Sequence, residues 1–305
     1  MTIQQFKSNA IKTLSETSPS AALDVSVLLE FCLKQNKTWL LMNNTTELTF
    51  EQSAWLAEAV EKRKTGLPVA YITGHKEFYG YDFTVTPSVL IPKPDTEILV
   101  EKALDETISK MDAHPDIVLS ICDMCTGSGC IGLSVLKQLI EEYKIPSGSL
   151  PKLTMIDISG AALDIAQTNA KKLLPAEEVE NIRFINNNLF FEIEYMFDII
   201  LTNPPYIPAK MVDELLSDGR NEPRLALDGD VTAFGESIKN GDGLGLIREL
   251  LPQSMERLVP NGVLLMETGE YNADEAKSLF EKTGFRNTKT ILDLEGQKRV
   301  TIGIK

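Results

Sequence analysis

The chain has 305 residues, 43% hydrophobic and 24% charged, an ordinary balance for a globular protein with room for two domains. Its net charge of −14 falls entirely on residues 81–305, because residues 1–80 hold eight Lys/Arg and eight Asp/Glu; that excess of carboxylates argues against a nucleic-acid duplex as the main partner, since phosphate binding is driven by clustered Lys and Arg. No apolar run approaches the ~20 residues of a membrane helix, and the polar, amphipathic start lacks the apolar segment of a secretory signal, so a cytoplasmic location is expected.

Apolar residues at Ile3, Phe6, Ala10, Ile11 and Leu14 form a helical stripe over Ile3 to Leu14. The pattern returns over Ser20 to Lys34 with Leu23, Val27, Leu28 and Phe31. Thr49-Phe50-Glu51-Gln52 reads as a capping box that opens a helix running to about Thr65, where Gly66-Leu67-Pro68 stops it. Residues 1–70 are therefore expected to be a small helical domain. Residues 71–95 mix Phe78, Tyr79, Tyr81 and Phe83 with Gly74, Gly80, Pro87, Pro92 and Pro94, the composition of a hairpin and extended linker.

Residues 96–305 alternate strand and helix signals. Strands are predicted over Asp116–Met124, Lys152–Ile158, Asn181–Asn186, Phe197–Thr202, Gly262–Glu267, Phe285–Leu292 and Lys298–Ile304, the last two as an antiparallel pair. Helices are predicted over Cys130–Tyr143, Ala161–Leu173, Leu244–Leu258 and Ala273–Lys282. Repeated strand–helix units imply an α/β fold with a mostly parallel sheet covered on both faces. Cys122-x-x-Cys125 could suggest a metal or redox pair, but the only histidines, His75 and His114, are not at ligand spacing, so no metal is expected.

Three features carry chemistry. The first predicted strand runs into Asp123-Met124-Cys125-Thr126-Gly127-Ser128-Gly129 and a helix follows at once. Glycines there permit a tight turn and close approach of a ligand, and the helix start offers free N–H groups. Gly127, Gly129 and Gly132 also satisfy G-x-G-x-x-G, which suits a dinucleotide equally well, and no Gly-Lys-Ser/Thr marks a triphosphate loop. The next strand ends at Asp157, whose carboxylate can accept both hydroxyls of a ribose.

The third feature is Asn203-Pro204-Pro205-Tyr206, placed directly after a predicted parallel strand, where open α/β sheets bind ligands. Two prolines stop the ladder and stiffen the turn. The Asn203 side-chain oxygen and the Pro204 carbonyl can accept the two N–H groups of a planar –NH2, and Tyr206 can pack against that plane. These residues predict transfer of a methyl group from S-adenosylmethionine to an amide or amine nitrogen, by positioning rather than by a strong base.

With those motifs in place, the chain resembles the peptide chain release factor glutamine methyltransferases over nearly its whole length. The resemblance is carried by Gly66-Leu67-Pro68-Val69-Ala70-Tyr71-Ile72-Thr73-Gly74, Glu77-Phe78-Tyr79-Gly80 and Leu90-Ile91-Pro92-Lys93-Pro94-Asp95-Thr96-Glu97. It implies a seven-stranded Rossmann-like methyltransferase sheet with an N-terminal helical domain that docks the release factor. It also implies methylation of the glutamine of a Gly-Gly-Gln motif, in translation termination. By matching positions, Cys125, Thr126, Gly127, Ser128 and Gly129 would line the methionine end of S-adenosylmethionine. Asp157 would hold the ribose, Leu189 would meet the adenine, and Asn203 through Tyr206 would hold the glutamine amide. Asn-Pro-Pro-Tyr also occurs in methyltransferases acting on base amino groups and on a ribosomal-protein glutamine, and a nicotinamide dehydrogenase shares the glycine turn. Four departures stand out. Cys125 replaces a glycine, which is tolerated if its φ is negative. Lys93 replaces an arginine and Asn188 an aspartate. Asp230 to Asn240 form an insertion before Gly241-Asp242-Gly243-Leu244.

Overall fold

The computed structural model describes residues 1–217, 221–231, 236 and 241–305. The chain divides into two compact units, residues 1–75 with 214–221 and residues 76–213 with 222–305.

The first unit holds α1 (Ile3–Leu14), α2 (Ala21–Leu33), α3 (Lys37–Met42), α4 (Phe50–Lys64) and α5 (Val69–Thr73). Thr2 with Gln5 and Thr49 with Gln52 both close as capping boxes, satisfying N–H groups that a helix start otherwise leaves open. The stripe residues Ile3, Phe6, Ala10 and Leu14 meet Val25, Leu28 and Leu29 of α2 and Leu56 of α4 in one core. A buried polar tie adds to it: Arg63 Nε donates to Asp24 Oδ2 at 2.7 Å, and Ser18 Oγ donates to the same oxygen at 2.7 Å.

The second unit opens with a hairpin of β1 (His75–Phe78) and β2 (Tyr81–Thr84). Its two-residue turn, Tyr79 at φ 53° and Gly80 at φ 77°, has both residues left-handed, as the twist of a tight hairpin requires. Phe78 and Phe83 stand edge to face at 6.0 Å and enter the core of this unit. Then come α6 (Glu97–Ala113), β3 (Ser120–Met124), α7 (Cys130–Glu141), β4 (Lys152–Asp157), α8 (Gly160–Leu173), α9 (Ala176–Glu180) and β5 (Arg183–Asn186). β6 (Phe197–Thr202), α10 (Ala209–Ser217, of which residues 214–217 belong to the first unit), α11 (Gly245–Arg257), β7 (Leu258–Glu267), α12 (Ala273–Thr283), β8 (Arg286–Leu292) and β9 (Lys298–Ile304) complete it.

Seven strands form one sheet in the order β5-β4-β3-β6-β7-β9-β8. β3 to β7 are parallel, and β9 runs antiparallel to both β7 and β8. Alternation along each strand splits its side chains between two cores. Ile121, Ile199, Leu201, Val263 and Leu265 face one, while Cys122, Met124, Ile200, Leu264 and Met266 face the other. Both faces are buried, which is why these strands read as continuous apolar runs. The chain leaves β3 outward to β4 and β5, then returns to β6 on the other side of β3. That reversal opens a crevice at the carboxyl ends of the strands.

Sequence and structure differ in places. The 17-residue α6 was not foreseen, and β3 begins at Ser120 rather than at Asp116. β7 starts four residues early, at Leu258, with Asn261 left-handed inside it. Of the insertion, residues 232–235 and 237–240 lie outside the described residues.

Candidate active site

The crevice holds a cavity of about 290 Å³. Its walls come from four places: the loop after β3, the carboxyl ends of β4 to β6, the segment before α6, and residues 223–231.

The loop after β3 is fixed from below and from the side. Buried Asp123 accepts Thr126 Oγ1 at 2.7 Å and Gly132 N at 3.0 Å on one oxygen, Oδ2. A Cβ at position 132 would come within 2.9 Å of that oxygen, so glycine is required for the close approach. From the side, Thr126 N donates to Ile156 O at 3.1 Å and Gly127 N to Asp157 Oδ2 at 2.9 Å. These bonds pull the backbone into the left-handed region at Cys125 (φ 58°), Gly127 (φ 54°) and Gly129 (φ 81°). The negative φ that would let a cysteine replace glycine here without strain is therefore not met. The loop keeps the conformation a glycine would adopt, at a cost of roughly 1–2 kcal/mol for a residue with a Cβ. Burial pushes the Cys125 thiol far above its usual range and the Cys130 thiol up to about 12, so both are neutral.

Asp157 closes β4 and faces the loop. Its Oδ1 accepts Ser159 N at 2.9 Å and its Oδ2 accepts Gly127 N, leaving each oxygen a further lone pair. Burial raises its pKa, while the backbone donors of Ser159 and Gly127 oppose that. Ser159 then caps α8 by accepting Ala162 N. After β5, Leu189 is left-handed at φ 48°, and Asn187 Nδ2 secures that turn by donating to Leu189 O and Phe191 O. Asn188 lines the cavity beside it.

After β6 the chain stiffens at the two prolines. Asn203 Nδ2 donates to Thr96 Oγ1 at 3.2 Å. Among the described residues, no hydrogen bond reaches Asn203 Oδ1. Tyr206 donates its hydroxyl to Glu267 Oε1 at 3.1 Å, at the end of β7, and burial beside that carboxyl keeps the phenol protonated. The Tyr206 carbonyl accepts Asn272 Nδ2 at 2.9 Å. Ile207 N donates to Leu227 O, and Gly229 N donates back to Ile207 O, so residues 224–229 run alongside this turn.

Of the predicted site residues, Cys125, Thr126, Gly127, Ser128, Asp157, Leu189, Asn203 and Pro205 line the cavity together. Gly129, Pro204 and Tyr206 are not among its walls. Gly129 serves the turn, Pro204 is buried, and Tyr206 is turned onto Glu267 rather than toward the cavity. Sequence reasoning missed Thr96, Glu267 and Asn272. It also missed Asn169, which is buried in α8 and ties the hairpin (Thr84 N and O) to the loop carbonyl of Ser128. No local pattern marks them, because each is defined by partners far away in sequence. Lys93 makes a single ion pair with Glu222 at 2.7 Å, on the edge of the cavity.

Comparison with known proteins gives the following. Residues 7–74 match the PrmC N-terminal domain and residues 100–221 the methyltransferase small domain. A release factor glutamine methyltransferase from Koribacter versatilis is 36% identical over 309 residues, covering 100% of this chain and 99% of the relative. One from Haemophilus influenzae is 31% identical over 310 residues (99% and 99%). One from Borreliella burgdorferi is 35% identical over 280 residues (92% and 88%).

Proposed function

The chain belongs to the release factor glutamine methyltransferases, and from that premise we propose that it methylates the side-chain nitrogen, N5, of the glutamine in the Gly-Gly-Gln motif of peptide chain release factors. The methyl donor is S-adenosylmethionine. The observation that carries the reading is Asn203. Its amide stands on the cavity wall with Nδ2 held by Thr96 and Oδ1 open.

The donor set suits the cofactor. Asp157 keeps lone pairs for the two ribose hydroxyls, and Leu189 and Ala162 offer apolar surface to an adenine. The backbone of residues 125–129 turns past the same space, where it would hold the methionine end. When bound, S-adenosylmethionine supplies a methyl group on a positively charged sulfur. The rest falls to the chain. An amide nitrogen is a weak nucleophile, so its orientation decides the rate. Asn203 Oδ1 accepts one of its N–H groups and stabilises the positive charge that develops there. Pro205 walls the same space, and Tyr206 braces the turn through Glu267.

We assign the helical unit of residues 1–70 to docking the release factor, residues 71–95 to a hairpin linker, and residues 96–305 to catalysis. The enzyme would act in the cytoplasm, where release factors work. None of the described helices is long and apolar enough to cross a membrane.

The test is transfer from labelled S-adenosylmethionine to purified release factor, with peptide mass spectrometry to locate the methyl group. One methyl on the Gly-Gly-Gln glutamine is expected. An unmodified factor alongside labelled RNA, DNA or ribosomal protein would sink the assignment.

A further inference from the structure

The Asn203–Tyr206 turn has few donors of its own. Pro204 and Pro205 carry no N–H, so side chains and carbonyls at the two ends must tie the turn down. At the near end Asn203 Nδ2 donates to Thr96 Oγ1 at 3.2 Å. At the far end three groups converge on Tyr206. Its hydroxyl donates to Glu267 Oε1 at 3.1 Å. Its carbonyl accepts Asn272 Nδ2 at 2.9 Å and, at the longer distance of 3.4 Å, the Tyr271 hydroxyl. Gly243 packs against the same carbonyl, where a Cβ would stand 2.2 Å from the oxygen.

Asn272 stands where an asparagine ordinarily has another task. It precedes α12 and its carbonyl accepts Ala276 N at 2.9 Å, so it occupies the N-cap position. Asparagine is favoured there because its side-chain oxygen takes an open N–H of the first turn. This side chain makes no such bond. The residue is 5% exposed, its Nδ2 is committed to Tyr206, and its Oδ1 is buried with no hydrogen-bond partner among the described residues. A buried acceptor left unpaired costs stability. Asn272 thus serves α12 poorly and the turn well, the pattern expected where a site rather than the helix sets the residue.

We propose that Asn272 is a positioning residue for methyl transfer. It holds the Tyr206 carbonyl while Glu267 holds the hydroxyl of the same residue, which fixes the far end of the turn and, through it, the place of the Asn203 amide. The inference rests on the reading of Asn203 as the amide clamp.

Asn272 is not among the cavity walls, so its effect is carried by the chain. With φ locked at both prolines, few torsions lie between Tyr206 and Asn203. A rotation of the Tyr206 backbone is therefore passed to Pro205 and Asn203, which do line the cavity. The hydroxyl bond alone leaves that backbone free to turn about its own side chain. The carbonyl bond stops it.

The experiment compares Asn272→Ala, Asn272→Leu, Tyr271→Phe, Asn203→Ala and the double variant Asn272→Ala/Asn203→Ala in the full chain, with release factor and S-adenosylmethionine. It reads kcat and KM, cofactor affinity by calorimetry, and the urea unfolding midpoint. Asn272→Ala and Asn272→Leu should each lower kcat by roughly 10- to 100-fold, the scale of a misplaced reacting group. KM for release factor and cofactor affinity should change by no more than about threefold, because the loss falls on alignment in the transition state. The unfolding midpoint should hold, since neither change removes a cap bond and both remove the unpaired oxygen. Tyr271→Phe should stay within about twofold of the native kcat, its bond to the carbonyl being long. The double variant should be no slower than Asn203→Ala, because the far end of the turn acts only through the amide it places.

Native-like kcat in Asn272→Ala and Asn272→Leu beside an impaired Asn203→Ala would overturn the inference and leave the clamp standing. Multiplicative losses in the double variant would overturn it too. So would a fall in kcat matched by equal falls in cofactor affinity and unfolding midpoint, the mark of a loosened fold. Native-like kcat in Asn203→Ala would overturn the clamp itself. Should Asn272→Ala fail to fold, Asn272→Leu, which fills the space, decides by the same readings.

Discussion

Replacing Asp157 by asparagine separates what this residue does for the cofactor from what it does for the fold. Both carboxylate oxygens already receive a backbone N–H, from Gly127 and Ser159, each at 2.9 Å. Each oxygen has one lone pair left, the number a ribose diol needs. Asparagine keeps one acceptor and turns the other into a donor. That donor meets an N–H and cannot accept a hydroxyl. One charge-assisted bond to the ligand is lost, worth about 1.5–3 kcal/mol, so S-adenosylmethionine should bind roughly 10- to 100-fold more weakly. Stability should not follow affinity. Burial raises the Asp157 pKa, which means the unliganded fold holds that charge at a cost. Removing the charge offsets the lost backbone bond, and the thermal midpoint without cofactor should move little at pH 8. Calorimetric titration at pH 8 and pH 5 supplies the assay. Native binding should weaken toward the lower pH, as the raised pKa is approached, while binding to the variant should be flat. A variant affinity within twofold of native at pH 8, with the fold intact, would refute the ribose assignment.

Two further outcomes concern the fold beneath the site. Gly129→Ala places a Cβ at φ 81°, 2.9 Å from both Leu133 Cδ1 and Met155 Cε, whereas Gly127→Ala meets nothing within 4 Å at φ 54°. Urea unfolding should show a backbone cost of about 1 kcal/mol for Gly127→Ala and about 1–3 kcal/mol more for Gly129→Ala, and equal midpoints would refute the packing argument. Asp123 is fully buried with Oδ1 unpartnered, and burial lifts its pKa to about 7 against Thr126 and Gly132. The folded chain thus holds a proton that the unfolded chain releases near pH 4, so this contribution is full below that pH and lost as pH rises through about 7. Asp123→Asn keeps an acceptor for Thr126 and Gly132. Melting curves should show it gaining more over the native chain at pH 8 than at pH 5, and an equal gain would argue against a buried ionising group.

Much of the framework was legible in the sequence because it is periodic or local. β6 and β9 fall on the predicted residues, and the Thr49–Gln52 capping box closes as read, while the Thr2–Gln5 box is found only in the structure. α6 was hidden although Leu99, Val100, Ala103, Leu104 and Thr107 make a buried helical stripe. Pro92 and Pro94 just upstream read as extended chain, and the helix starts only three residues later. The backbone at Cys125 could not be read from its side chain, because Asp157 and Ile156 on the neighbouring strand impose it through Gly127 and Thr126. Glu97 shows the same limit. Its carboxylate accepts Tyr79 N at 3.0 Å, fastening the hairpin turn to the head of α6, which gives a physical reason for a signature that local pattern leaves unexplained. The polar group behind Asn203 is gathered from the ends of β6, β7 and β9 and the start of α6, and no window of sequence contains it.

That gathering bears on the order in which the molecule matures. Glu267 lies opposite Val300 in the β7–β9 ladder, and Arg299 beside it reaches back to Asp95, just ahead of Thr96. The glycine loop and Asp157 belong to strands that pair early along the chain, whereas the brace behind Asn203 waits for β9 to insert between β7 and β8. The Asn203–Thr96 contact spans 107 residues, and contacts so distant in sequence cost more to close. A half-folded chain could therefore hold the methyl donor before it can present an aligned amide acceptor, and it would be unable to modify a substrate until the sheet is sealed.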